Sequence, residues 1–251
     1  MDVLVAVLMD AFVDTLVDVI ALSPSDQNSN QRVGVCHSNV RSPTHRLEMP
    51  RSPSYSRAMA WDTARTKQLL LDAAVEEFAA YGPEGARVAR IATRAGINKE
   101  RIYTYFGNKD QLFAAVLDSE LQKAAAAVPL TPEQAADLGD FAGRVYDYHH
   151  RHPHFARLLA WEGLHYRGEV AAERERTAHY CEKIAAVTGA QQSGTLTDDL
   201  DAGALVRAVI ALTASWFTLP QLGHLLTPAA AKGPSAAQRE LLVGLVRHLT
   251  T

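Results

Sequence analysis

Between Val88 and Phe106 the helical pattern stops and restarts across a single glycine, and few folds accommodate that. Val88, Ile91, Ala92 and Ala95 fall at i, i+3, i+4 and i+7, the inward face of one short helix. Gly96 ends it, and Asn98 is placed to cap a second helix from Lys99, with Ile102 and Phe106 as its buried anchors. Two short helices about a glycine turn form a helix-turn-helix, whose second helix enters the DNA major groove and meets base edges with its first turns. The pattern around it predicts an all-α chain from Asp62 onward. A preceding helix carries the stripe Leu70, Ala73, Ala74, Glu77 and Phe78, and "YGPEG" supplies the breakers that stop it.

Charge sharpens this reading. The 251 residues carry a formal charge of -3, which excludes a globally basic nucleic-acid binder. Between Ala86 and Lys109, however, Arg87, Arg90, Arg94, Lys99, Arg101 and Lys109 face one acid, Glu100. A local basic patch of this kind is what a phosphate backbone selects. Lys99 and Arg101 lie in the first turn of the reading helix, where an arginine can fork onto guanine O6 and N7. Tyr103 and Tyr105 offer hydroxyls to phosphates or ring faces to thymine methyls, and Tyr105 is the weaker candidate, because rings two apart point to different sides of a helix. Lys109 opens the next helix, where side chain and helix N-terminus can share a phosphate.

The motif "IATRAGINKERIYTYFGNKDQLFAAVL" resembles the signature of the TetR family of transcriptional regulators. The likeness lies in the Ile/Ala pair, the Ala-Gly turn, the Tyr-x-Tyr-Phe run and the Asn-Lys-x-x-Leu-Phe continuation. It implies an N-terminal helix-turn-helix DNA-binding domain and a C-terminal helical domain that dimerises and binds a small-molecule effector, with no cofactor. It places contacts to double-stranded operator DNA at Arg87, Lys99, Glu100, Arg101, Tyr103, Thr104, Tyr105 and Lys109. Two residues depart from the family pattern. Arg87 stands where a threonine usually opens the first of the two helices, and Glu100 where a small residue is common.

Outside that motif the chain divides by composition. Residues 1–22 are apolar with Asp2, Asp10, Asp14 and Asp18 and no basic residue. A secretory signal would need a positive n-region, and each aspartate would cost about 3 kcal/mol at the centre of a membrane helix. The segment is expected to be an amphipathic appendage, and residues 23–58, rich in Ser, Pro, Asn and Arg, a disordered linker. Met59 or Met49 is the expected physiological start, with the upstream stretch a mis-assigned extension. The expected domains are therefore 1–58 as this extension, 59–108 as the DNA-binding domain and 109–251 as the effector-binding and dimerisation domain. Cys36 and Cys181 sit far apart, with no CxxC and no metal-spaced histidine beside either, which points to a reduced, cytoplasmic protein.

Residues 119–251 read as about six helical segments. Leu200, Ala204, Leu205, Ala208, Val209, Leu212, Trp216 and Leu219 keep helical spacing, as do Leu241, Leu242, Leu245, Val246 and Leu249. Both stripes exceed what one packed neighbour needs. The TetR resemblance makes these segments a homodimer interface, with Trp216, Leu245 and Leu249 as its expected members. An effector pocket is expected among Tyr146, Phe155, Trp161, Glu162, His165 and Tyr180, with Tyr148 and Tyr166 nearby: aromatics with a few polar groups.

"YHHRHPH" raises a metal-responsive alternative through His149, His150, His152 and His154. Adjacent imidazoles on a helix diverge by about 100°, and Pro153 separates His150 from His154, so a hydrated helix end is the better reading and no metal site is assigned. Phosphate-loop, nucleophile-elbow and zinc-protease motifs are absent from the sequence, so an enzyme is not expected. A helical protein-interaction module is the remaining alternative.

Overall fold

The computed structural model describes the backbone of residues 53–165, 168 and 170–250, and side chains from Thr63 onward. The expectations for residues 1–52, including the start at Met49, and for Tyr166 lie outside the described residues. Among the described residues all regular structure is helical. No single helix there is long and apolar enough to cross a membrane.

Helix α1 (Pro53–Gly85) begins within the stretch expected to be linker. A proline is compatible with a first helical turn, whose N–H has no intrahelical partner in any case. The helix breaks at Gly82, whose φ of 67° and ψ of 174° form a backbone conformation essentially reserved for glycine. A Cβ there would lie 2.7 Å from the Trp161 ring. Helices α2 (Val88–Ala95) and α3 (Lys99–Phe106) follow the sequence pattern: Gly96 closes α2 at φ 66°, and the Asn98 side chain accepts from the Glu100 N–H at 3.2 Å. Helix α4 (Lys109–Ala127) starts with a reciprocal capping box between Asn108 and Gln111.

The rest comprises α5 (Leu138–Arg151), α6 (Pro153–His165), α7 (Glu173–Gln192), α8 (Ala202–Thr218), two short helices, α9 (Pro220–Leu226) and α10 (Pro228–Lys232), and α11 (Ser235–Thr250). A 3-10 turn at Gln134–Ala136 precedes α5. Helix α5 packs against both α8 and α11, and α6 bridges α1 and α8. Two ion pairs fasten α11 to α5: Arg239 to Asp147 at 2.9 Å and Arg247 to Asp137 at 2.7 Å.

Two hydrophobic cores result. The first gathers Leu70, Ala74, Phe78, Ile91, Ile102 and Leu112. The second gathers Leu138, Phe141, Phe155, Val187, Leu205 and Leu242. They do not separate at residue 108. Leu112, Phe113, Val116 and Leu117 of α4 belong to the first core, as does Leu158 of α6, and Leu121 packs against both. Phe106, expected as a buried anchor, is only partly buried against the first core, whereas Ile102 is fully enclosed.

Candidate nucleic-acid interface and effector cavity

Glu77 explains how the two short helices are held to α1. It is buried, and its Oε1 accepts from the Arg87 N–H at 2.8 Å and from Arg90 Nε at 2.7 Å. Burial pushes the carboxyl pKa up. The Arg90 and Arg87 hydrogen bonds and the charges of Arg90 and Arg94 pull it down further, and the net result is below the ordinary value. Arg90 also lies over the Tyr81 ring at 4.4 Å, so this arginine serves the fold.

With α2 anchored, one side of α3 faces outward. Lys99, Glu100, Arg101, Tyr103 and Thr104 are exposed, as is Arg87 at the head of α2, while Ile102 points into the core. Tyr105 is half-buried; its hydroxyl accepts from Arg101 Nη1 at 3.4 Å, and Lys67 of α1 stands 5.7 Å from its ring centre. The Thr104 hydroxyl donates to the Glu100 carbonyl at 3.0 Å. Lys109, half-buried at the start of α4, donates to the Glu84 carbonyl at 3.3 Å. Of the eight residues expected at the DNA, Lys99, Glu100, Arg101, Tyr103, Thr104 and Tyr105 lie on α3, Arg87 caps the start of α2 and Lys109 opens α4. Lys67 is a cation that the sequence reading missed, because its approach to Tyr105 depends on how α1 packs.

A cavity of about 130 Å³ opens in the second half, lined by residues of α4, α5, α6, α7 and α8. Phe141, Val145, Phe155, Leu159 and Ile210 give it an apolar wall. Arg176, His179, Tyr180 and Lys183 line it from one face of α7. Gln122, Glu175 and Tyr180 are exposed and mark its mouth. Of the residues expected to bind effector, Phe155 and Tyr180 are in the lining. Tyr146 lies in the core, its hydroxyl donating to Gln238 Oε1 at 3.2 Å. Trp161 packs on Gly82, and His165 Nδ1 is 2.9 Å from the Trp161 carbonyl. Glu162 stands behind the lining and accepts from Arg176 Nη1 at 2.6 Å.

The histidine cluster does not converge. His149 packs between Phe155 and Phe217 with ring centres 5.3 and 5.2 Å away, His150 lies by Tyr146, His152 by Tyr148, and His154 Nε2 is 2.9 Å from Glu120 Oε2. Among the described residues no group of three or more His, Cys, Asp or Glu side chains is placed to hold a metal. His149 also departs from the hydrated helix end expected of it: it is buried in the cavity wall, and burial pushes its pKa down to about 4. Tyr148 beside it is pushed up to about 12, first by burial and then by the charge of Glu120, so its hydroxyl stays protonated. Arg176 and Lys183 also line the cavity and were not singled out from sequence, and His149 was considered there only as a metal ligand.

Helix α11 presents two faces. Leu242, Val243, Val246 and Thr250 are buried, while Leu241, Leu245 and Leu249 form an exposed stripe, Leu245 at 41% and Leu249 at 57%. Trp216 is instead partly buried against the second core.

A glycine-closed helix pair, held on a third helix and exposing a basic reading face, is the architecture of a helix-turn-helix DNA-binding regulator. Comparison with known proteins narrows this. Residues 70–116 match the family described as bacterial regulatory proteins, tetR family, and residues 137–248 match the tetracyclin repressor-like, C-terminal domain. The chain is 41% identical over 176 residues to the HTH-type transcriptional repressor SCO4008 of Streptomyces coelicolor, covering 69% of this chain and 90% of that one. It is 40% identical over 107 residues to the HTH-type transcriptional repressor NicS of Pseudomonas putida, covering 40% and 50%. The crystal structure of the transcriptional regulator SCO4942 from Streptomyces coelicolor superposes with a TM-score of 0.64 at 32% identity, covering 74% of this chain and 98% of that one. The chain belongs to the TetR family of transcriptional regulators.

Proposed function

We propose that the protein is a cytoplasmic homodimeric repressor that leaves its operator when a small molecule occupies the cavity. The observation that carries this reading is the course of α4. It starts at Lys109, directly after the turn that ends α3 at Phe106; about 18 Å further along, Asp118, Leu121 and Ala125 line the cavity. A ligand that pushes on the far part of α4 therefore acts on the reading head directly. The exposed leucines of α11 are the kind of apolar stripe that a second copy covers. A dimer would set two α3 helices against half-sites about 34 Å apart, and a ligand that prefers a different spacing would shift the population away from the DNA-bound form. The curated relatives SCO4008 and NicS are both described as repressors.

The experiment is selection of bound duplexes from a random pool, followed by anisotropy titration of the enriched sequence. Specific, salt-sensitive binding by a dimer supports the proposal. An absence of enrichment would favour a helical module whose basic face docks an acidic protein.

A further inference from the structure

The cavity takes its apolar wall from four helices. Leu121 of α4, Phe141 and Val145 of α5, Phe155 and Leu159 of α6 and Ile210 of α8 meet around one space, and none of these side chains can hydrogen-bond an occupant. His149 adds an imidazole ring held between Phe155 and Phe217. Polar residues enter chiefly from α7, where Arg176, His179, Tyr180 and Lys183 stand at i, i+3, i+4 and i+7.

The charged groups of the lining are already committed to the protein or to solvent. Arg176 Nη1 donates to Glu162 Oε1 at 2.6 Å, Asp118 accepts from Gln122 Nε2 at 2.8 Å, and His179 Nδ1 lies 3.7 Å from Glu182 Oε2. Lys183 is partly buried beside the Glu182 charge, and Glu175 is exposed at the mouth. Two acids, Asp118 and Glu175, share the lining with two bases, Arg176 and Lys183, so neither sign of ligand is favoured. The unpaired nitrogens His149 Nδ1 and Arg176 Nε are enclosed by protein and do not face an occupant. Tyr148 and His149 in the wall stay uncharged at neutral pH. A charged group entering this space would lose its hydration without gaining a partner, whereas an apolar body gains by leaving water.

Size limits the molecule further. The cavity's 130 Å³ is close to that of an engineered apolar cavity of about 150 Å³ that holds benzene. We infer that the cavity takes a neutral, apolar organic molecule with one aromatic ring or an alkyl group of similar bulk, seated against Phe141, Phe155 and Ile210. This inference rests on the effector reading above and adds the chemical class of the effector.

The test uses the full chain and three probes that share one ring: ethylbenzene, the anion phenylacetate and the cation phenethylamine. Calorimetry at neutral pH should find ethylbenzene bound at least about tenfold more tightly than either ion, since an ion gives up hydration that this cavity does not replace. Hexylbenzene should bind no more tightly than ethylbenzene despite its larger apolar surface. Filling the cavity locates the site. Ala214 lines it one turn after Ile210 on α8, so Ala214→Phe places a ring in the space and should abolish ethylbenzene binding. Val145→Phe does the same from α5 and is the second variant if the first loses its helical circular dichroism. Either ion binding as tightly as ethylbenzene, tighter binding of hexylbenzene, no binding of ethylbenzene, or undiminished binding in a folded, filled variant would each overturn the assignment. The effector reading is tested separately by adding ethylbenzene to the DNA complex. Binding that the filled variants lose but that leaves DNA affinity unchanged upholds the ligand class and removes the effector role. DNA release by phenylacetate or phenethylamine and not by ethylbenzene upholds the effector role and removes the class.

Discussion

Arg90 Nε of α2 donates to Glu77 Oε1 of α1 at 2.7 Å, and this bond ties the reading head to the helix that carries it. Glu77 is 2% exposed, so removing its carboxylate strands the Arg87 N–H as well as Arg90. Glu77→Ala is expected to cost about 0.5–1.5 kcal/mol per hydrogen bond lost, since Arg90 is partly exposed and keeps its bond to the Gly85 carbonyl. Glu77→Gln should cost less, because an amide oxygen still accepts from Arg87. Thermal unfolding and DNA affinity of both variants check the order. Because the Glu77 pKa is depressed in the fold, its contribution is present above the ordinary value of 4.5 and is lost as pH falls below it.

Gly82→Ala should be more damaging than its size suggests. The backbone conformation there costs a non-glycine residue about 1–3 kcal/mol, and the new methyl group would meet the Trp161 ring at 2.7 Å. Lower thermal stability with altered tryptophan fluorescence is expected. A neutral effect would mean that α6 shifts freely against α1.

Lys109 and Arg101 should differ in kind. Lys109→Ala is expected to weaken binding to selected and scrambled duplexes alike and to lower the salt slope by about one contact per subunit. Arg101→Ala should cost about 1–3 kcal/mol per half-site at one base position and leave non-specific affinity nearly unchanged. Titrating both variants at several salt concentrations makes the comparison.

The exposed stripe of α11 predicts a clean separation of assembly from folding. Leu245 and Leu249 do not support the monomer core, so replacing both with Glu should leave the helical signal intact. Burying two unpaired charges per subunit at an interface costs several kcal/mol, so the double variant should sediment as a monomer and bind DNA poorly. An intact dimer would place the interface elsewhere.

His149 should make stability fall with acid before the carboxylates titrate. Its pKa, about 4 in the fold against an ordinary 6.5, means that the unfolded chain takes up the proton first. The contribution is complete above pH 6.5 and is lost between 6.5 and 4, up to roughly 3 kcal/mol by linkage. His152 shifts in the same direction. Denaturant melts at pH 7.5 and 5.5 should show a smaller difference for His149→Phe than for the parent chain.

What the sequence determined by itself is the part encoded by near neighbours. The positive φ at Gly96, the Asn98 cap, the start of α6 at Pro153 and the burial of Ile91 and Ile102 follow from residues within a turn or two of one another, where spacing specifies geometry. The exposed basic face of α3 was legible for the same reason: it lies on one short stretch of chain. Tertiary structure decided the rest. An apolar helical face looks the same whether it meets a core, a cavity or a second subunit, so period alone could not tell Tyr146 in the core from Phe155 in the cavity lining, or Trp216 from Leu245. His149, Arg176 and Lys183 line one cavity only because α5 and α7 pack around the same space, a relation between residues far apart in the chain that no local pattern encodes.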